Sequence, residues 1–304
     1  MLQVSPLVHA VLGSLVLYFM WRDVLLYRDL SCSSNLTAAA SPAISVKVLL
    51  QPPTIHYLEL PLAEWLEAAL ALSSLLSANT VSGAGVLLGL AAAAAISRGS
   101  RAGVVAGVAL YKARDLADSL DGVLARGAGR VMVPTPGTWG YYIDGWCDIA
   151  SETALIYSLG CLLALRQQPA SSWAPGSKGS SCSSWVAQLA APLTAGVWGL
   201  GLQSIVAAVG WNWTTGQLHQ LLAPAGPGPQ LGQLVGGPGA GLVVLSWRLL
   251  NPHLLTQALL AALLLERAGQ WVWLARWLVT PPLLLLCAAS WLLVRSLHHQ
   301  LQAS

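Results

Sequence analysis

Charge is what this chain has least of. Charged residues make up 9% of the 304, against about 25% in a soluble domain. Hydrophobic residues are 55% and the mean hydropathy is +0.62. That balance excludes an ordinary water-soluble globular protein. The 15 basic and 12 acidic residues leave a net charge of only +3, too little to argue for a nucleic-acid partner. The five cysteines, Cys32, Cys147, Cys161, Cys182 and Cys287, are scattered and odd in number. None forms a pair with zinc-ligand spacing, so they read as packing residues. No internal repeat is visible. The N-terminus has neither a charged leader region nor an A-x-A cleavage signal, so its apolar stretch reads as a retained anchor.

What remains is the pattern of a polytopic membrane protein. Five apolar stretches approach or exceed the roughly 20 residues that span a bilayer. The expected fold is all-α, a polytopic membrane helix bundle. Residues 1–61 are read as an anchor helix (Pro6–Trp21) followed by a polar connection, with Pro42, Pro52 and Pro53. Residues 62–78 alternate Glu64 and Glu67 with Leu and Ala and read as an interfacial amphipathic helix. Residues 79–304 are read as a six-helix membrane domain, with spans near 79–97, 102–126, 138–165, 186–210, 241–265 and 270–296. Arg98-Gly-Ser-Arg101 would join the first two as a tight hairpin. The stretches 166–184 and 211–240 are Ser/Gly/Pro-rich loops. Ala91–Ala95 suits close helix packing. Tryptophans near span ends, among them Trp139, Trp146, Trp211 and Trp291, form an aromatic belt.

Against so little charge, four aspartates fall within thirty-one residues: Asp118, Asp121, Asp144 and Asp148. Ionisable groups in membrane segments are costly and mark function by default. Asp118 and Asp121 are three apart, Asp144 and Asp148 four apart, so each pair projects from one helix face. Two such faces brought together make a carboxylate oxygen cage suited to Mg²⁺ or Mn²⁺. The bland alternative is solvated helix ends paired with nearby Lys and Arg. Asp115 and Glu152 extend the two stripes. Lys112 and Arg114 precede them and would either steer phosphates or neutralise the acids.

The full pattern is Asp118, Asp121, Gly122, Ala125 and Arg126, then a spacer, then Gly140, Asp144 and Asp148. It resembles the signature D-x2-D-G-x2-A-R…G-x3-D-x3-D of the CDP-alcohol phosphotransferases, integral membrane enzymes of phospholipid synthesis. The spacer departs from the family pattern: Gly127–Trp139 is longer and rich in Gly and Pro, a lengthened loop. The resemblance implies two divalent metals ligated by Asp118, Asp121, Asp144 and Asp148, with Asp144 bridging. It implies that Asp148 is also the general base that deprotonates the lipid hydroxyl. Gly122 and Gly140 would let the nucleotide approach the backbone, Ala125 would keep the helices close, and Arg126 would hold phosphate or orient a carboxylate. Asn79, in Asn79-Thr80-Val81-Ser82, resembles a weak family pattern for substrate binding; an ordinary helix cap is the alternative. His298 and His299 read as solvated tail.

Alternation of the spans puts both aspartate pairs on one side of the membrane, with the 22–78 connection, the 211–240 loop and the C-terminus. The family resemblance implies a CDP-alcohol donor, a membrane lipid acceptor and CMP as product. The extra anchor helix, the long spacer and the sequons at Asn35 and Asn212 resemble the ceramide phosphoethanolamine synthase branch. That would mean CDP-ethanolamine, ceramide and a Golgi membrane with a luminal active site, the endoplasmic reticulum being the alternative. Other readings stay open: a cytosol-facing choline or ethanolamine phosphotransferase acting on diacylglycerol, a phosphatidylinositol- or phosphatidylglycerophosphate-type synthase, or, in another class, a cation transporter. Assembly as a homodimer is also open.

Overall fold

The structure is a computed structural model and describes residues 6–33, 49–127, 139–167, 197–222 and 238–303. No strand occurs among the described residues. The helices are α1 (Pro6–Ser33), α2 (Leu60–Leu70), α3 (Ala78–Ser97), α4 (Arg101–Gly127), α5 (Trp139–Gln167), α6 (Trp198–Leu222), α7 (Pro238–Leu250), α8 (Pro252–Leu264), α9 (Ala268–Leu274) and α10 (Thr280–Ala303). Among the described residues, three helical stretches are long and apolar enough to cross a membrane: Ala78–Ser97, Ile143–Arg166 and Ala268–Gln300. Two shorter apolar helices cover Gly239–Leu250 and Pro252–Leu264. The chain is therefore an all-α membrane protein. Its outward faces carry large apolar residues such as Leu87, Trp146 and Leu285, each about 70% exposed, as lipid-facing surfaces do.

Several boundaries differ from the sequence-based expectation, each for a local reason. The anchor helix α1 continues past Trp21 to Ser33. The charges that suggested a polar connection are compensated: Asp23 accepts from Arg248 Nε at 3.0 Å and from Nη2 at 2.5 Å. Tyr57 donates its hydroxyl to Asp23 at 2.7 Å, and Arg22 lies over the Tyr57 ring. Helix α2 begins at Leu60 and ends at Leu70, short of residue 78, where Ala71 turns left-handed with φ 48°. The expected fifth span is broken into α7 and α8 at Asn251. Pro252 disfavours helical geometry for the residue before it, and Asn251 Oδ1 accepts from the His253 amide at 2.9 Å as an N-cap. The sixth is interrupted by a π turn at Ala275–Val279 just ahead of Pro281 and Pro282; a second π turn, Ile55–Glu59, precedes Pro61. Proline has no N–H to give the preceding turn, and the wider turn absorbs the fault. Helix α6 runs on to Leu222, into the expected 211–240 loop, because Trp211, Thr214 and Leu218 are buried. The 166–184 loop beyond Gln167 and most of the Gly127–Trp139 spacer lie outside the described residues.

Two compact units divide the chain. One holds Met1–Tyr57, Gln203–Ala258 and Trp277–Ser304. Its core is built on Leu49, Leu50, Leu218, Trp247 and Leu283, all almost fully buried. Trp247 donates to Ser290 Oγ at 2.7 Å, so its polar edge is satisfied.

The other holds Leu58–Leu202 and Leu259–Arg276, and it carries all four aspartates. Its core packs Ile96, Val108, Tyr111, Leu155, Leu159 and Leu162. Helices α3 and α4 form the expected tight hairpin, turning at Gly99 with φ +73°, a conformation that favours glycine. They then pack at backbone distance. A Cβ on Gly107 would lie 2.5 Å from Ile96 Cγ1 and 2.8 Å from the Ala92 carbonyl oxygen. The small residues of α3 and α4 let the polypeptides approach as bilayer-embedded helices do.

Candidate active site

Three helices of the second unit each bring one helical stripe to a common cleft. From α4 come Arg114, Asp118 and Asp121; from α5, Asp144, Cys147, Asp148 and Ser151; from α3, Ser82, Gly85 and Val86. The spacings of three and four within each set are those of a single helix face. The cleft offers about 190 Å³ of space, part of it open to the surroundings. Its width on the α3–α5 side is fixed one turn further along, at Gly89. A Cβ there would stand 2.7 Å from Ser151 Oγ and 2.8 Å from Ser151 Cβ.

The carboxylates are brought together, unevenly. One oxygen each from Asp118, Asp144 and Asp148 lies within 4.8 Å of the other two. Asp121 stands outside that trio. It is 7% exposed and accepts from the Ser82 hydroxyl at 2.5 Å. The Ser82 oxygen also lies 3.1 Å from the Ala78 carbonyl; a hydroxyl has one proton, and the shorter, charge-assisted contact takes it. Arg114, 5% exposed, reaches across from α4 to pair with Asp148 through Nη2, with Asp118 Oδ1 at 3.9 Å from the same nitrogen. Its Nη1 donates to Asp115 Oδ1 at 3.2 Å. Asp115 is itself held by Lys112 Nζ at 3.1 Å, and Lys112 also pairs with Glu59. Asp115 thus faces the bases of its own helix and does not line the cleft.

This donor set fits divalent metal. It is all oxygen, which hard cations require. Among the described residues the cleft is lined by four acids and one guanidinium, a balance that the charge of a divalent cation would offset. The 4.8 Å spread is close to the span between opposite ligands of an octahedral Mg²⁺, about 4.2 Å for oxygens at about 2.1 Å.

The remaining predicted residues are placed less centrally. Asn79 is exposed in the first turn of α3 and does not line the cleft. The cap of that helix is Ser77, whose Oγ accepts from the Thr80 amide at 3.2 Å. Ala125 and Arg126 are exposed near the end of α4. A Cβ on Gly122 would meet only Arg126 Nη1, at 3.5 Å. Gly140 is the second residue of α5. Asn212 sits inside α6, whereas sequons used for glycosylation lie in surface loops; Asn35 is outside the described residues.

Two cleft residues carried little sequence signal. Ser151 is fully buried with its hydroxyl unpartnered among the described residues; seven residues from Asp144, it lies on the same helix face, and that spacing was the available clue. Ser82, the fourth residue of the weak pattern at Asn79, is the one that meets an aspartate.

Comparison with known proteins bears on this stretch of chain. Residues 27–173 match the family model described as ceramide phosphoethanolamine synthase. A curated Drosophila melanogaster protein named ceramide phosphoethanolamine synthase is 32% identical over 130 residues, covering 41% of this chain and 33% of the relative. The chain thus spans about a third of the length of the curated relative it matches. No solved structure matches. The stretch that carries all four aspartates is thus similar to the ceramide phosphoethanolamine synthase family.

Proposed function

We propose that this protein is a metal-dependent transferase that moves phosphoethanolamine from CDP-ethanolamine to a hydroxyl of ceramide and releases CMP. One observation carries the proposal: Asp118, Asp144 and Asp148, from two helices, converge within 4.8 Å inside the stretch matched to ceramide phosphoethanolamine synthases.

The acceptor oxygen attacks the phosphorus that bears ethanolamine. The bond from that phosphorus to the bridging oxygen breaks, and CMP leaves with the electron pair. Asp148 takes the proton of the acceptor hydroxyl, a role that needs an ionised carboxylate within hydrogen-bond reach. Divalent cations, which Asp118, Asp121, Asp144 and Asp148 would hold, would neutralise the pyrophosphate charge. Ser82 fixes the rotamer of Asp121 through its hydrogen bond. Among the described residues nothing in the packing demands glycine at position 122, since a Cβ there makes only ordinary contact. Room for the nucleotide accounts for it, with Arg126 Nη1 alongside to meet phosphate.

The membrane setting supports a lipid acceptor. For sidedness we favour a Golgi luminal active site, and with Asn212 inside a helix the argument rests on the sequon at Asn35. The test is incubation of purified protein with a panel of CDP-alcohols and lipid acceptors in detergent with Mn²⁺. Ceramide phosphoethanolamine and CMP should form in equal amounts from CDP-ethanolamine and ceramide. Preference for diacylglycerol, or for another CDP-alcohol, would replace this substrate assignment.

A further inference from the structure

Arg114 is not part of the aspartate motif, yet among the described residues it is the one cation lining the cleft. It is built as a fork with one fixed arm. Nη1 donates to Asp115, Asp115 accepts from Lys112, and Lys112 is held in turn by Glu59. The guanidinium also sits 5.7 Å from the centre of the Tyr111 ring, within cation–π range. Its stem packs by Gly85, where a Cβ would come within 3.9 Å of Arg114 Cγ. The other arm, Nη2, points into the cleft at Asp148 and Asp118. Two of the three converging carboxylates are therefore already engaged by a charge belonging to the protein. The anchored arm and packed stem keep that charge from leaving.

We propose that Arg114 is a tethered stand-in cation: it holds Asp148 and Asp118 while no divalent ion is bound, and it opposes divalent binding because it stays beside the ion when one enters. The inference rests on the metal reading above and adds a residue that sets how tightly metal is held. Two consequences follow. Metal-free protein is kept folded by Arg114 rather than by metal. Divalent affinity is held down by a positive charge a few ångströms from the ion, and such repulsion is large at partly buried sites. An anionic diphosphate entering with the metal would relieve it, so loading of metal and nucleotide would be coupled.

The experiment is titration of full-length protein in detergent with Mn²⁺ alone, following the free-ion signal by electron paramagnetic resonance, together with thermal unfolding with and without Mn²⁺. Wild type, Arg114→Gln and Arg114→Lys are compared. Arg114→Gln should bind Mn²⁺ roughly tenfold more tightly than wild type, unfold at lower temperature without metal, and regain most of that loss with it. Arg114→Lys, which keeps the charge, should bind Mn²⁺ within a few-fold of wild type. Equal or weaker Mn²⁺ binding by folded Arg114→Gln overturns the stand-in role and leaves the metal site intact. So does an Arg114→Gln protein that stays misfolded in millimolar Mn²⁺. Absence of Mn²⁺ binding in every variant, wild type included, overturns the metal reading and this inference with it.

Discussion

Replacing Gly89 by alanine should injure catalysis through packing alone. Gly89 is on α3, where it touches no carboxylate, but a Cβ would fall 2.7 Å from Ser151 Oγ and 2.8 Å from Ser151 Cβ. Carbon atoms in contact stand about 3.5–4.0 Å apart. Helices α3 and α5 must therefore separate locally by up to about 1 Å, since Ser151 is fully buried and has no room to turn aside. Overpacking of this kind costs about 1–3 kcal/mol. Ser151 is one turn from Asp148, so the shift carries Asp144 and Asp148 away from Asp118, and a misplacement of about 1 Å costs on the order of 100-fold in rate. The assay is phosphoethanolamine transfer by purified protein, with thermal unfolding measured in parallel. The double variant Gly89→Ala/Ser151→Gly should recover most of the rate, because removing Ser151 Cβ and Oγ leaves only Cα, at 3.3 Å, near the new methyl. Coupling of this sign is what a shared steric contact produces. A Gly89→Ala enzyme with unchanged rate and stability, or a double variant no better than the single, would refute the reasoning.

Ser82→Ala should lower the transfer rate about ten- to hundredfold, because buried Asp121 loses its hydroxyl donor at a cost of about 1.5–3 kcal/mol; kcat and KM for CDP-ethanolamine report it. Arg248→Met should destabilise by about 3–5 kcal/mol by leaving Asp23 buried without its partner, while Asp23→Leu/Arg248→Met should be far milder, as read from thermal unfolding in detergent. Burial, then Arg248, lowers the His56 pKa to about 4, with Asp23 opposing and Arg22 adding to the effect. A group depressed in the folded state favours folding above its unfolded value of about 6.5 and loses that contribution as pH falls towards 4. Stability should therefore drop across that window in wild type, and His56→Gln should flatten the drop.

The all-α membrane class was legible because scarcity of charge and long apolar runs are properties of composition, which tertiary structure does not override. The Arg98–Arg101 hairpin was legible because Gly99 punctuates it. Helix ends were less so. The reach of α1 to Ser33 depends on Asp23 meeting Arg248, 225 residues away in sequence, and no local pattern announces such a pair. The break at Asn251 was readable in principle from Pro252, but the apolar run around it hid the punctuation. At the site, the i, i+3 and i, i+4 spacings predicted which aspartates share a face. They did not predict that Asp121 would turn to Ser82 while three others converge, because that depends on how closely α3 approaches at Gly85 and Gly89. Arg114 was visible as a charge near the motif, but its two-armed engagement needs the packing of Asp115 and Tyr111.

The most direct test is a comparison of wild type with Asp148→Asn, measuring ceramide phosphoethanolamine formation with Mn²⁺, the same reaction in excess chelator, and CDP-ethanolamine binding. The amide keeps the shape of the side chain but is a poor proton acceptor. Wild type should turn over with Mn²⁺ and stop in chelator, and Asp148→Asn should lose on the order of 100-fold or more in kcat while still binding CDP-ethanolamine. Full turnover in chelator, or a near-normal kcat in Asp148→Asn, would contradict the account.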